Sequence, residues 1–560
     1  MIRATFSGFN TALTALQANQ KRLDITGQNL ANMNTVGYTR QTLDTSSLNY
    51  SGPISRYMNG SEISVGFGVA MDRVSQIRDP FLDAQYRSQM EKSGYTDSMQ
   101  TALDSLSKVL DESSILGIRD AFDDIQATLT NLSDPAKVND AVFESELRAR
   151  MEKLTNLLNE SAQKIDEAKK QEFERLDGEG TNQNGAEQTV NDILKRIGEL
   201  NRQIKHNQVF GQPSLELMDE RNVLLDELSS YVPIEVRYQK DPAHKDDKDW
   251  PDDLYVDMIY SKTDGGVTTR ESLSLIKGTE GAANQNYGSL EILPGANSPY
   301  LNVTAKFTGA SGTGTADSVT ISSTSDPNSV NEFKGGSIQA GLDMLGGKVD
   351  SSTTAAIEDV DVRGYQYYIN HLDNLAKSFA TVMNELNTLG NKNITGKPAN
   401  LMVNKENATA DITASTIGIN TDWVNGTIGL GKGIDDDGND MNDTALAMLR
   451  AMSVHYAAGS SADRPYYGID LGNKTFAGYI SNVSTVLASD SSNNQASLKT
   501  NVTVLNGIQN SRDGLSGISL DEEAANMMAY LSAYNAASRL MTTLDEALNT
   551  LINNTGLVGR

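Results

Sequence analysis

The sequence predicts a mainly α protein with an inserted β domain: paired N- and C-terminal coiled-coil helices, a discontinuous helical-bundle domain, and a nested β-rich domain. Three observations predict it. Apolar residues recur at steps of three and four at both ends of the chain. They recur at helical spacing again through the interior. Between Pro233 and about Gly341 the period drops to two.

At the N-terminal end Phe6, Phe9, Leu13, Leu16, Gln20, Leu23, Gly27 and Leu30 trace a coiled-coil seam, interrupted by one polar residue and one glycine. A helix of about 28 residues would be a rod of roughly 40 Å. It runs into "ANMNTVGYTR", Ala31 to Arg40, where Asn tolerates left-handed backbone and Gly37 enters it without steric cost. Three interior stripes follow: Met99, Leu103, Leu106 and Leu110; Phe122, Ile125, Leu129 and Leu132; Val190, Ile193, Ile197, Leu200 and Ile204. "SDP" at Ser133 to Pro135 and "DGEGTNQNG" at Asp177 to Gly185 are connections between long helices.

After Tyr231, "PIEVRY" puts Ile234, Val236 and Tyr238 on one face. "LYVDMIY" does the same with Leu254, Val256, Met258 and Tyr260, and "YLNVTAKF" with Leu301, Val303, Ala305 and Phe307. Helical patterning is expected to return near Ala355, and a polar helix spans Phe476 to Gln509. At the C-terminal end Ser519 with Glu522 forms a capping box, and Asp521, Glu522 and Glu523 load the first helical turn with acid. Met527, Leu531, Tyr534, Ser538 and Met541 then keep the three-four step, and Leu544, Leu548 and Leu551 resume it.

Two terminal helices with one stripe each can bury those stripes against each other and nest the rest of the chain between them. The expected domains are a terminal one at 1–65 and 515–560, a helical one at 66–232, 342–390 and 474–514, and the β insert at 233–341. Residues 391–473 stay unassigned, as a second insertion or part of the helical domain.

Composition narrows the function. The 560 residues include 47 Lys and Arg against 73 Asp and Glu, a net charge of -26 that disfavours nucleic acid and anionic lipid. The chain has no cysteine, hence neither disulfides nor thiolate ligands. The first thirty residues lack the apolar run of a secretory signal, so any export is expected to use another route, and no run is long enough for membrane insertion.

No chemistry is expected either. The four histidines, His206, His244, His371 and His455, form no HExxH pair. Gly426 with Gly431 and Lys432 has phosphate-loop spacing, but Gly433 stands where Ser or Thr would hold magnesium. The run Asp435 to Asp443 lacks the glycine and closing glutamate of a calcium loop. The expectation is no catalytic residue, no metal and no cofactor.

"LDITGQNLANMNTVGYTRQ" (Leu23 to Gln41) and "SGISLDEEAANMMAYLSAYNAASRLMTTLDEAL" (Ser516 to Leu548) resemble the terminal signatures of the flagellar rod, hook and junction axial proteins. "GYTRQ" at Gly37 to Gln41 resembles the hook-associated junction branch, where rod and hook members typically have Phe-Lys after the glycine. "IRDPFLDAQYR", "MDERNVLLDELSSYV" and "LDNLAKSFATVMNELN" are similar to that branch more weakly; Pro80 and the tail from Asn553 depart from it.

The resemblance implies a structural subunit joining hook to filament, self-associated in a helical axial assembly and needed for motility. It implies secretion through the flagellar type III channel. The partners it implies are the hook protein, the next junction protein and an export chaperone on the C-terminal helix. Phe6, Phe9, Leu13, Leu16, Leu23, Leu30, Met527, Leu531, Tyr534, Met541 and Leu548 would then pack the terminal helices in the assembly. Asn32, Asn34, Gly37 and Tyr38 would form the bend by which the inner helix turns outward, with Gly37→Val costing roughly 1–2 kcal/mol and Gly37→Ala less. Enzyme and surface-adhesin functions are the alternatives, the second acting through the β insert; another rod or hook protein is a third.

Overall fold

The computed structural model describes residues 6–48, 68–110, 112–134, 136–137, 141–178, 185–240, 244, 251–278, 286–295, 299–311, 316–322, 329–346, 362–390, 400–407, 409–432, 442–457 and 469–554. The chain begins with α1 (Phe6–Ala31) and a two-stranded ribbon, β1 (Gln41–Ser47) against β2 (Val69–Gln76). Five helices follow: α2 (Pro80–Val109), α3 (Glu112–Leu132), α4 (Ala141–Asp177), α5 (Ala186–Val209) and α6 (Leu215–Tyr231). Pro80 opens α2 at its first turn, where a missing N–H costs nothing, and Asp79 caps it through Phe81 N.

The stripes read from the sequence are the core. Met99, Leu103, Leu106, Leu110, Phe122, Ile125, Leu129, Leu132 and the five α5 positions are all buried. They join residues from far along the chain. Phe122 on α3 meets Phe379 on α8 (Tyr365–Gly390) at 5.3 Å between ring centroids and Phe476 on α11 (Phe476–Ser516) at 5.9 Å, and the last two lie 5.4 Å apart. Those contacts close helices separated by hundreds of residues onto one core.

The β insert is antiparallel. β3 (Ile234–Gln239), β4 (Asp253–Asp264) and β5 (Val267–Lys277) form one sheet, with β9 (Ser329–Glu332) on the far part of β4. β6 (Ser289–Leu293), β7 (Thr304–Thr308) and β8 (Ser318–Ser322) form another. Gly265 and Gly266, both with positive φ, make the two-residue turn that matches strand twist. The expected period of two holds at Leu254, Val256 and Met258. Tyr255 and Asp257 are buried as well, so this part of β4 is covered on both faces. On the insert's helical side, Asn191 on α5 exchanges both amide hydrogen bonds with Leu290, and Glu187 accepts from Ile292 N.

The helix expected near Ala355 comes earlier: α7 (Ser337–Leu345) starts just past β9, while Ala355 lies outside the described residues. α7 is only nine residues long and buries all of them but Ser337, the polar Gln339 and Asp343 included, so it is too short for a periodicity argument to find. The unassigned stretch holds a short hairpin, β10 (Met402–Asn404) with β11 (Ile417–Ile419), then α9 (Thr421–Val424) and α10 (Asp443–Met452). It is fastened to the helices. Asn384 on α8 pairs with the Met402 backbone in both directions, and Trp423 Nε1 donates to Glu144 on α4. The phosphate-loop spacing has the same fate, since Gly431 N donates to Asn387 and Leu430 N to Glu144. Asp435 to Asp440 lie outside the described residues.

Candidate assembly site at the chain termini

α12 (Leu520–Asn554) runs antiparallel to α1. Gly8 lies against Leu544, Arg22 sits 5.6 Å from the centre of the Tyr530 ring, and Asn29 reaches Glu523. α1 has a second neighbour on the ribbon: Arg22 Nη2 donates to Thr45, and Val69 N to Thr14. This double duty turns its buried line. The fully buried positions are Ala12, Ala18, Asn19, Ile25, Thr26 and Asn29, close to one position before the expected seam.

The expected seam residues therefore divide. Phe9, Leu16, Leu23, Leu30, Met527, Tyr534, Met541 and Leu548 are partly buried, whereas Leu13 and Leu531 are about half exposed and stay outside the intramolecular pair. The side chain of Phe6 lies outside the described residues. At the start of α12, Ser519 accepts from Glu522 N at 3.5 Å, but the return leg of the box is missing because the Glu522 carboxylate binds Arg40 instead.

The bend is built on a polar centre. Asn32 Nδ2 donates to Gln28 O and its Oδ1 accepts from Thr35, closing the end of α1. Gly37 takes φ +79°, and a Cβ there would stand 2.2 Å from Val223 on α6. Alanine already carries that Cβ. Strain and collision both begin at the first side-chain atom, so Gly37→Ala carries a cost of its own beside the larger one expected for Gly37→Val. Asn34 is exposed, and neither Asn32 nor Asn34 uses left-handed backbone.

Asn29 is the residue that the sequence did not single out. Its Oδ1 accepts from Tyr38 OH and Gln41 N, and its Nδ2 donates to Gln41 O and Glu523. All four amide valences are used, which fixes Tyr38 at the exit of the bend. Burial, with Glu216, Asp219 and Glu523 nearby, pushes the Tyr38 hydroxyl up to about 12, so it stays a donor.

Arg40 joins three segments. Its N–H donates to Ser516 O, its carbonyl accepts from Ile77 N, and its guanidinium binds Glu523 at 2.8 Å and Glu522 at 2.7 Å. Burial opposes the Arg40 charge, but those two carboxylates outweigh it and hold its pKa above the ordinary arginine value. Next to it Thr39 donates from both N and Oγ1 to Asp219 on α6.

From Asp219 an alternating chain of charges crosses the base of the helical body. Arg78 lies 3.7 Å from Asp219 and 2.9 Å from Asp83; Arg512 on α11 bridges Asp83 and Asp226; Arg87 closes on Asp226 at 2.8 Å. Burial raises the Asp83 carboxyl, but Arg78, Arg512 and Arg87 hold it below the usual carboxylate range. These groups make a joint between the terminal pair and the body. Among the described residues no His, Asp or Glu cluster has the form of a metal site, and no helix is long and apolar enough to cross a membrane.

The two ends define the class. Residues 9–39 match the family described as flagella basal body rod protein, and residues 514–554 match the flagellar basal body rod FlgEFG protein C-terminal family. The fold and its joined termini are thus those of a flagellar axial structural protein. Between them residues 103–400, just over half of the chain, match the flagellar hook-associated protein FlgK helical domain. The chain belongs to the flagellar hook-associated protein FlgK family.

Similar proteins extend over the full length. Flagellar hook-associated protein 1 of Bacillus subtilis is 28% identical over 567 residues, covering 100% of both chains. The protein of the same name from Salmonella typhimurium is 24% identical over 597 residues, covering 97% of this chain and 99% of its own. The structure of the flagellar hook junction protein FlgK from Burkholderia pseudomallei shares the fold, with a TM-score of 0.50 at 11% identity over 77% of this chain and 100% of that one.

Proposed function

We propose that this chain is the subunit that joins hook to filament. The observation that carries the reading is the half-buried antiparallel pair of α1 and α12, held to the body through one bend. A pair that leaves Leu13 and Leu531 about half exposed completes its burial against neighbouring copies, and a repeated contact that does not close on itself builds a tube. Phe9, Leu16, Leu23, Leu30, Met527, Tyr534, Met541 and Leu548, with Phe6, form the axial packing, and Asn32, Gly37 and Tyr38 set the angle at which the body leaves it.

The partners are the hook protein below, the next junction protein above, and further copies around the ring. Before assembly the same apolar α12 face needs a cover, which suits an export chaperone during passage through the flagellar type III channel. The chain works as a structural part, not an enzyme, and its domains nest in the order read from the sequence. Purified chain added to isolated hooks lacking their cap, viewed by electron microscopy, tests the proposal: capped hook ends support it, and bare hooks at saturating protein would refute it.

A further inference from the structure

One helix pair of the body is joined differently from the rest. On α2, Tyr86, Gln89, Ser93, Thr96 and Gln100 follow steps of three and four, a coiled-coil line whose last four positions are polar and buried. α11 answers with Asn494, Leu498, Asn501, Leu505, Ile508 and Arg512 at the same steps, all partly buried. Amides hold the two lines together. Asn494 Nδ2 donates to Thr96 O at 2.9 Å and to Gln100 Oε1 at 3.0 Å, Gln89 Nε2 donates to both Asn501 O and Asn501 Oδ1 at 3.1 Å, and Gln100 Nε2 donates to Ser491 at 3.0 Å. At the foot Arg512 lies over the Tyr86 ring, 4.4 Å from its centre, and between Asp83 and Asp226.

The two parts of α11 differ in what they bury. Phe476, Tyr479, Ile480, Val483 and Leu487 are its buried residues, where the Phe122, Phe379 and Phe476 core closes on it; from 488 to 516 no residue is fully buried. Hydrogen bonds across a half-wet seam add little net stability, because water offers the same bonds to the parted helices. Polar residues on a coiled-coil line fix register at a cost in stability. α2 has other attachments: Tyr95 OH donates to Asp343 on α7, and Arg87 binds Asp226 on α6.

We propose that residues 488–516 of α11 form a separately opening segment, which parts from α2 while the body stays folded. The amide seam sets where the two helices meet without the apolar burial that would keep them closed, and few buried apolar contacts mark the segments of a fold that open first. The consequence is mechanical. α12 begins at Leu520, just past this segment, and Ser516 O accepts from Arg40 N. Opening therefore frees the C-terminal tether of the terminal pair and leaves the bend and the foot of the ribbon to hold it, so the joint yields before either unit unfolds.

Hydrogen exchange on the full chain, read by mass spectrometry, tests this. Peptides from 491–516 should exchange at least about a hundredfold faster than those from 476–487 of the same helix. Equal protection along α11 would overturn the proposal. Gln89→Leu with Asn501→Leu replaces both partners of one seam contact by apolar groups, and should slow exchange in 491–516 about tenfold while 476–487 keeps its wild-type rate. Unchanged or faster exchange in 491–516 of the double variant would show that the polar seam does not set the opening, and would overturn it as well.

Discussion

In the helical body Phe122, Phe379 and Phe476 close on one another with no exposed apolar edge, while on the terminal pair Leu13, Leu531, Leu540 and Leu551 are each about half open to solvent. The residue types are similar and the helices are long in both places. What differs is the number of partners. Each body helix has several neighbours within its own chain; α12 has essentially one, α1. An apolar stripe wider than one neighbour can cover needs other molecules, and that is the physical difference between a folding core and an assembly surface.

The comparison predicts a large loss in the body. Phe379→Ala deletes a ring in contact with two others and should cost about 3–5 kcal/mol. Urea unfolding followed by the fluorescence of buried Trp423 reads that loss. A midpoint close to wild type would mean that the body is not closed as described.

Acid should also act on the body. His371 is buried between α8 and α11, its Nδ1 2.5 Å from Tyr479 OH and its Nε2 without a partner. Burial first, then Arg363 and Lys474, lower its pKa to about 4. The unfolded chain, with its histidine near 6.5, then binds the proton more readily. Stability is full above pH 6.5 and falls as the pH drops toward 4, by on the order of 3 kcal/mol. Subtracting the stability profile of His371→Phe from that of wild type should reveal this slope; a flat difference would show that His371 charges freely in the fold.

At the joint the expected effects are smaller. Asn29→Ala leaves Tyr38 OH, Gln41 N and Gln41 O without their partner and should cost about 2 kcal/mol. Gly37→Ala should cost about 1–2 kcal/mol from its backbone alone. Pairing it with Val223→Ala should recover the part due to collision, because the clash is with the Val223 methyl. Hydrogen exchange in α1 and α12 reads both, and no recovery in the double variant would place the whole cost in the backbone.

The body was largely legible in the sequence because burial there follows one period: Phe122, Ile125, Leu129 and Leu132 are all sealed. Gly37 was legible too, since a glycine after an Asn-rich turn announces positive φ. Asn29 was not. It falls one position before the expected seam residue Leu30, and its partners lie 9, 12 and 494 residues away, beyond the reach of a helical period. The buried line of α1 lies about one position from the expected seam for a related reason: periodicity finds large apolar residues, but close helix pairing puts small ones such as Ala12 and Ala18 inside.

The smallest expected effect on the monomer bears most directly on the contrast. Leu531 is about half exposed, so Leu531→Asp should change the stability of the dilute chain by no more than about 0.5 kcal/mol, the usual range for surface substitutions. In the assembly the same carboxylate would be buried without a partner at a cost of several kcal/mol in every copy. Adding Leu548→Asp on the partly buried side of the helix should abolish hook capping outright. The single variant separates the two surfaces: unchanged urea unfolding with lost capping assigns Leu531 to contacts between copies. Equal losses in both measurements would instead assign it to the fold of one chain, and the terminal pair would then be a core like the body.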